Sequence, residues 1–179
     1  MSFTHDTNLS LQALAALMNT RDPDTLTMLD DLDQLCSRWM WSGSRTHDQT
    51  ELDRVRSVRD RLAGFWGADE ATVVALINAL LAEGHALPQL IRHDDFDWHI
   101  HATRAEAPLA VRMTVEYAMA MIDVVRAGEL ERLSYCAADD CDDVVIDLSR
   151  NRSRKFCESG CGNRVNVAAY RARRRSAGR

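Results

Sequence analysis

Proline and glycine are scarce in this 179-residue chain, with three and eight residues respectively. That scarcity argues against a disordered or repeat architecture, and there is neither an internal repeat nor a low-complexity run before the arginine-rich end. Nothing approaches the roughly 18 consecutive apolar residues that a membrane span requires. The segment from Met1 to Asn8 is polar and lacks a basic-then-apolar leader, so a cytoplasmic location with no membrane partner is expected. A Gly-rich phosphate loop and a nucleophile elbow are also missing, and no enzyme activity is expected. Five cysteines are too few and too clustered for a disulfide framework.

What is present divides by charge. The net charge is −5, yet Arg150 to Arg179 holds ten Lys+Arg against one acid, Glu158. The rest of the chain is therefore strongly acidic, and the basic end is the part suited to a polyanion. Hydrophobic residues make up 46%, enough to bury a core.

The first two-thirds reads as helical. Leu9, Leu11, Leu14, Leu17 and Met18 recur at helical spacing. Asp22-Pro23 suits the start of a second helix with Leu26, Leu29, Leu32, Leu35, Cys36 and Trp39 on one stripe. A third helix carries Leu52, Val55, Leu62, Phe65 and Trp66 and breaks at Gly67. Asp69 caps a fourth with Val73, Leu76, Ile77, Leu80 and Leu81, ending near Gly84. The period then changes to two. Phe96, Trp98, Ile100 and Ala102 alternate with Asp97, His99, His101 and Thr103, predicting a half-buried strand with its polar face outward. Residues 87–92 pair with it through a turn near Asp94-Asp95. Pro108 opens a long helix that Gly128 stops.

Near the C-terminus, Cys136, Cys141, Cys157 and Cys161 follow the spacing C-x4-C-x15-C-x3-C. Two close pairs across a short insert supply the four thiolates of one tetrahedral zinc ion. Four protein ligands leave no position for a reactive water, so one structural Zn2+ per chain is expected. Between the pairs, Val144-Val145-Ile146, a polar stretch from Ser149 to Ser153, and Lys155-Phe156 read as strand, turn, strand. A helix-compatible run, Val165 to Arg175, follows. This order is that of a treble-clef zinc finger. The expected fold is mainly α (α+β). A helical N-terminal domain with a small β-hairpin spans 1–130, and a four-cysteine finger with a basic helix spans 131–179.

Around the metal, Gly162 permits a sharp turn after the last ligand, and Asn163 suits a helix cap. Asp147 and Arg164 suit an ion pair supporting the module. Arg164 has a second reading as a phosphate contact. Asp139, Asp140, Asp142 and Asp143 read as a solvated turn, or else as acids orienting the hairpin's cations. The candidate DNA contacts are Arg152, Arg154, Lys155, Arg164, Arg171, Arg173, Arg174 and Arg175, because such side chains bind phosphate without reading sequence.

The chain resembles the CGNR zinc finger proteins with an N-terminal ABATE domain, stress-induced transcription regulators of bacteria. The resemblance rests on Cys136, Asp140-Cys141, Asp147, Ser149-Arg150-Asn151, Arg154, Phe156-Cys157, Cys161-Gly162-Asn163-Arg164 and Tyr170-Arg171-Ala172-Arg173. Upstream it rests on Asn19-Thr20 and Leu76-Ile77-Asn78-Ala79-Leu80. Arg152 departs from the pattern where a small residue is expected. The resemblance implies zinc-dependent DNA binding and transcription regulation, with the N-terminal domain sensing a small-molecule effector or forming a homodimer. An adaptor whose finger is purely structural is the alternative.

In the N-terminal part, Asn19, Arg21, His93, Trp98, His99 and His101 are candidate polar groups. His99 and His101 share a strand face, a spacing that holds a metal or simply presents an exposed polar surface. Trp39, Trp41, Phe65 and Trp66 read either as pocket walls or as core. Cys36, the cysteine outside the zinc set, reads as core.

Overall fold

The computed structural model describes residues 3–92 and 98–177. Six helices and two small antiparallel hairpins account for the fold, in agreement with the expected α+β class. The helices are α1 (His5–Met18), α2 (Leu29–Arg38), α3 (Gln49–Leu62), α4 (Glu70–Glu83), α5 (Leu109–Arg126) and α6 (Cys161–Ala177). The strands are β1 (Gln89–Ile91), β2 (His99–His101), β3 (Leu133–Tyr135) and β4 (Val144–Ile146). No helix among the described residues is long and apolar enough to cross a membrane.

Helix α5 is the spine. It packs on α4, α1 and α3, burying Leu109, Met113, Tyr117, Met121 and Val124. Thr4, Asp48 and Asp69 cap α1, α3 and α4 by accepting backbone N–H bonds from the first turn. Gly84 ends α4 against α5, where a Cβ would lie 2.2 Å from Cγ2 of Val115. Close approach of the two helices therefore requires glycine at that position.

The second helix differs from the sequence expectation. It begins at Leu29, not at Asp22-Pro23. Arg59, buried on α3, donates from Nη1 to the Thr20 carbonyl (2.9 Å) and to Oδ1 of Asp24 (2.9 Å), holding the intervening loop down. The start of α2 is set instead by Asp31, whose carboxylate accepts from the N–H groups of Thr27 and Met28 (2.8 and 2.9 Å). Leu26 still reaches the core, from the loop.

The N-terminal hairpin forms with Leu90 opposite Ile100, but its faces are inverted. Leu90, Trp98 and Ile100 are 66%, 65% and 49% exposed. His99 and His101 are half-buried and point toward the helices. Alternation was legible, but the side facing inward was not. The turn near Asp94-Asp95, with His93, Phe96 and Asp97, lies outside the described residues.

The C-terminal hairpin also differs. β4 pairs with β3, which precedes the first cysteine, rather than with Lys155-Phe156. The latter segment contributes one bond, from the N–H of Ala137 to the Lys155 carbonyl (2.8 Å). β4 joins two cores through its period of two. Val144 and Ile146 pack with the helical core, and Val145 packs with the cysteines. Asn19, at the end of α1, fixes the junction by donating from Nδ2 to the Val144 carbonyl (3.0 Å) and accepting its N–H at Oδ1 (2.7 Å). The side-chain amide thus copies a strand neighbour. Arg38 adds an exposed ion pair with Glu158 (3.4 Å).

Two outcomes test this architecture. Asn19→Ala leaves both backbone groups of buried Val144 unpaired and is expected to cost about 1–3 kcal/mol. Faster amide exchange at Val144, with α4 unchanged, is the readout. Hydrogen bonding from Arg59 lowers the Asp24 pKa from 3.8 to about 2. Stability from this pair is complete above pH 3.8 and disappears as pH falls through 2. Urea midpoints of Asp24→Asn should be flatter than wild type across that window.

Candidate metal centre and basic helix

Two chain turns assemble the metal centre. Cys136 and Cys141 lie in the loop between β3 and β4, where Cys136 donates its N–H to the Asp143 carbonyl (2.8 Å). Cys157 and Cys161 close a second turn, and Cys161 is the first residue of α6. Gly160, with φ of +83°, makes that turn. The expected role of Gly162 is corrected accordingly. It is already helical, and a Cβ there would press on Cδ2 of Phe156 at 3.1 Å.

The four sulfurs lie within 4.8 Å of one another. Sγ of Cys141 and Cys157 are 3.8 Å apart. A tetrahedral zinc with Zn–S near 2.3 Å demands a sulfur–sulfur spacing of about 3.8 Å, so donor type and spacing both fit one Zn2+. Among the described residues this is the one group of three or more His, Cys, Asp or Glu side chains able to share an ion. Burial raises the Cys141 thiol to about 11. Burial acts the same way on Cys136, but the N–H groups of Cys157 and Ala138 outweigh it and leave that thiol below its ordinary value. A bound ion displaces these protons and couples module folding to metal.

A polar shell braces the centre. Buried Asp147 accepts N–H bonds from Ser149 and Arg154, both 2.8 Å, tying β4 to the turn before Cys157. Burial works against its ionisation, but these donors and the charge of Arg132 keep its carboxyl below the usual range. Arg132 was missed in the sequence. It is buried, bonds Glu129 (2.8 Å) from Nε and donates from Nη1 to the carbonyls of Asp147 (2.6 Å) and Ser149 (3.1 Å). A sequence signal was present in Glu129 and Arg132, which stand three apart.

Arg164 does not pair with Asp147. It pairs with Asp140 and donates from Nη2 to Sγ of Cys161 at 3.1 Å. The acidic knuckle therefore orients a cation, and Asp143 accepts from the Ser159 hydroxyl (2.8 Å). Asn163 lies inside the first turn of α6, past the cap position. Arg152 pairs with Glu129 (2.8 Å) and Glu131, while Arg154 pairs with Glu158 (3.0 Å). Lys155 is exposed.

Helix α6 leaves the module with little packing. Residues 163–175 are exposed on every face. Val167 and Tyr170 do not turn toward the module, being 39% and 54% exposed. Arg164, Arg171 and Arg175 share one stripe, Arg174 lies over the Tyr170 ring, and Arg173 lies on the opposite side. Arg171, Arg173 and Arg175 make no ion pair with the described residues.

This geometry agrees with two family models. One, the CGNR zinc finger, matches residues 132–174. The other, the ABATE domain, carries the description "Putative stress-induced transcription regulator" and matches residues 11–128. The chain belongs to the ABATE family. The two matches follow one another in the order expected of a regulator body with a terminal finger. No curated protein matches the chain at a significant level.

The remaining candidates in this ABATE protein fall in different places. Trp39, Trp41, His99 and His101 line a cavity of about 400 Å³ between α1, α5 and the first hairpin. Phe65 and Trp66 are core. Arg21 is at the surface near Asp60 (3.7 Å). Cys36 is buried, and burial raises its thiol to about 11, which makes it a poor nucleophile.

Cys136→Ser and Cys161→Ser should each lower bound zinc from one per chain toward zero. Metal analysis of the purified variants checks this. Amide protection in β3 and β4 should fall with the zinc, and that in α4 should persist.

Proposed function

We propose that this chain is a DNA-binding transcription regulator in which the zinc centre braces α6 and α6 contacts the duplex. The observation that carries the reading is a 17-residue helix, rooted in a metal ligand, bare on every described face and free of acids. Its length is about 25 Å at 1.5 Å per residue, long enough to lie in a major groove. Arg171, Arg173, Arg174 and Arg175 are its phosphate contacts. Arg164, already held by Asp140 and Cys161, sets the root of the helix. Arg152, Arg154 and Lys155 are secondary contacts, with two of the three balanced by acids.

The helical body, residues 1–130, supplies the input, through a small-molecule effector, homodimerisation or both. A dimer would offer two basic helices, which suits the acidic balance of the single chain. The protein works in the cytoplasm, and the zinc is structural, because four thiolates leave it no open position.

One observation favours an adaptor instead. Val165, Val167 and Tyr170 are exposed on the same helix, as a protein-binding surface would have them. Binding of the zinc-loaded chain to duplex DNA across a salt series separates the two. Regulators of this kind lose affinity steeply with salt, by a slope of about 0.9 per phosphate contact. Changing Arg171, Arg173, Arg174 and Arg175 to Ala should flatten that slope by about 3–4. An absence of binding at low salt, in protein holding its zinc, favours the adaptor.

A further inference from the structure

The first hairpin presents an inversion that needs a physical reason. It exposes Leu90, Trp98 and Ile100 and turns two imidazoles inward, the reverse of what burial free energy favours. A polar occupant beneath the hairpin would supply that reason. Nε2 of His99 and Nε2 of His101 are 2.9 Å apart over the cavity of about 400 Å³. Asp6, Ser10 and Glu116 line the same cavity. Ser10 donates to Oε1 of Glu116 (3.2 Å).

We propose that this cavity is a second metal site, in which Nε2 of His99 and Nε2 of His101 chelate a divalent late transition ion. The spacing is compatible with chelation. With metal–nitrogen bonds near 2.1 Å, two ligands at 90° are about 3.0 Å apart, and two tetrahedral ligands about 3.4 Å. The 2.9 Å hydrogen-bonded contact places both nitrogens within small side-chain adjustment of adjacent positions on a square or octahedral ion, the geometry Ni2+ and Cu2+ favour. The ion replaces the shared imidazole hydrogen bond, and both rings enter neutral. Among the described residues, His99 and His101 are the direct ligands. The remaining positions open on the cavity and take water or a small oxygen donor.

Glu116 and Asp6 provide negative charge around the ion, with Glu116 bonded through water. Burial raises the Glu116 carboxyl above its ordinary value, and a nearby cation relieves that cost. Arg112 also borders the cavity, but its nitrogens are engaged on the carbonyls of Ser42, Ser44 and Ala107. The thiolate centre and the imidazole pair thus divide metals by softness and geometry. This inference stands on the cavity alone, and its failure would leave DNA binding by α6 untouched.

The test is a calorimetric titration of the zinc-loaded full chain with Ni2+. His99→Ala, His101→Ala and the surface control His85→Ala are titrated beside it. The expected result is one Ni2+ per chain in wild type and control, weakened at least tenfold in each of the other two. No uptake by wild type overturns the proposal, as does equal affinity in all four proteins. Zinc release matching Ni2+ uptake also overturns it, because nickel would then sit on the cysteines. Proton NMR of wild type gives a measure that needs no variant. Paramagnetic broadening must reach the His99, His101, Trp39 and Trp41 rings before those of His47 and His85, and the reverse order refutes the site.

Discussion

The molecule depends on one three-residue strand belonging to two interiors at once. β4 sends Val144 and Ile146 into the helical core and Val145 into the thiolate cluster. Alternation along a strand makes this automatic, since neighbouring side chains point to opposite faces. The finger is therefore attached by buried surface rather than by a tether. Asn19 then fixes the register by acting as a strand neighbour. Metal binding and body packing meet on the same backbone.

Polar groups reinforce the junction from the finger side. Arg132 and Asp147 exchange backbone and side-chain bonds across β3 and β4, and Glu129 neutralises the buried guanidinium. A buried arginine without those partners would be costly. The CGNR segment works in the same spirit. Gly162 gives Phe156 room, and Arg164 donates to a ligand sulfur. Both features brace the metal centre.

The local patterns were the legible part of this chain. Helical periodicity and the Asp69, Gly84 and Gly128 signals marked the helices, and cysteine spacing marked the metal. Readings that needed a third dimension were less secure. The Asp22-Pro23 start failed because Arg59, from a distant helix, holds that loop. The pairing of β4 with Lys155-Phe156 failed because an equally short segment, β3, competed for the same edge. Alternation in the first hairpin could not say which face turns inward, as a period of two is symmetric to that choice. The Arg164 partner was misjudged because Asp140 and Asp147 are equally plausible along the sequence, and folding brings only the first to it.

The start of α6 at a metal ligand has a mechanical consequence. Its root is fixed by Cys161 and Arg164, and residues 163–175 are exposed to solvent, so it acts as a cantilever of about 25 Å. A tilt of about 5° at the root moves the far end by about 2 Å at that length, a large part of a hydrogen-bond distance. Small shifts at the β4 junction are thereby magnified at Arg171 to Arg175. Any event that repacks the body against β4 re-aims those arginines with no change in the helix itself.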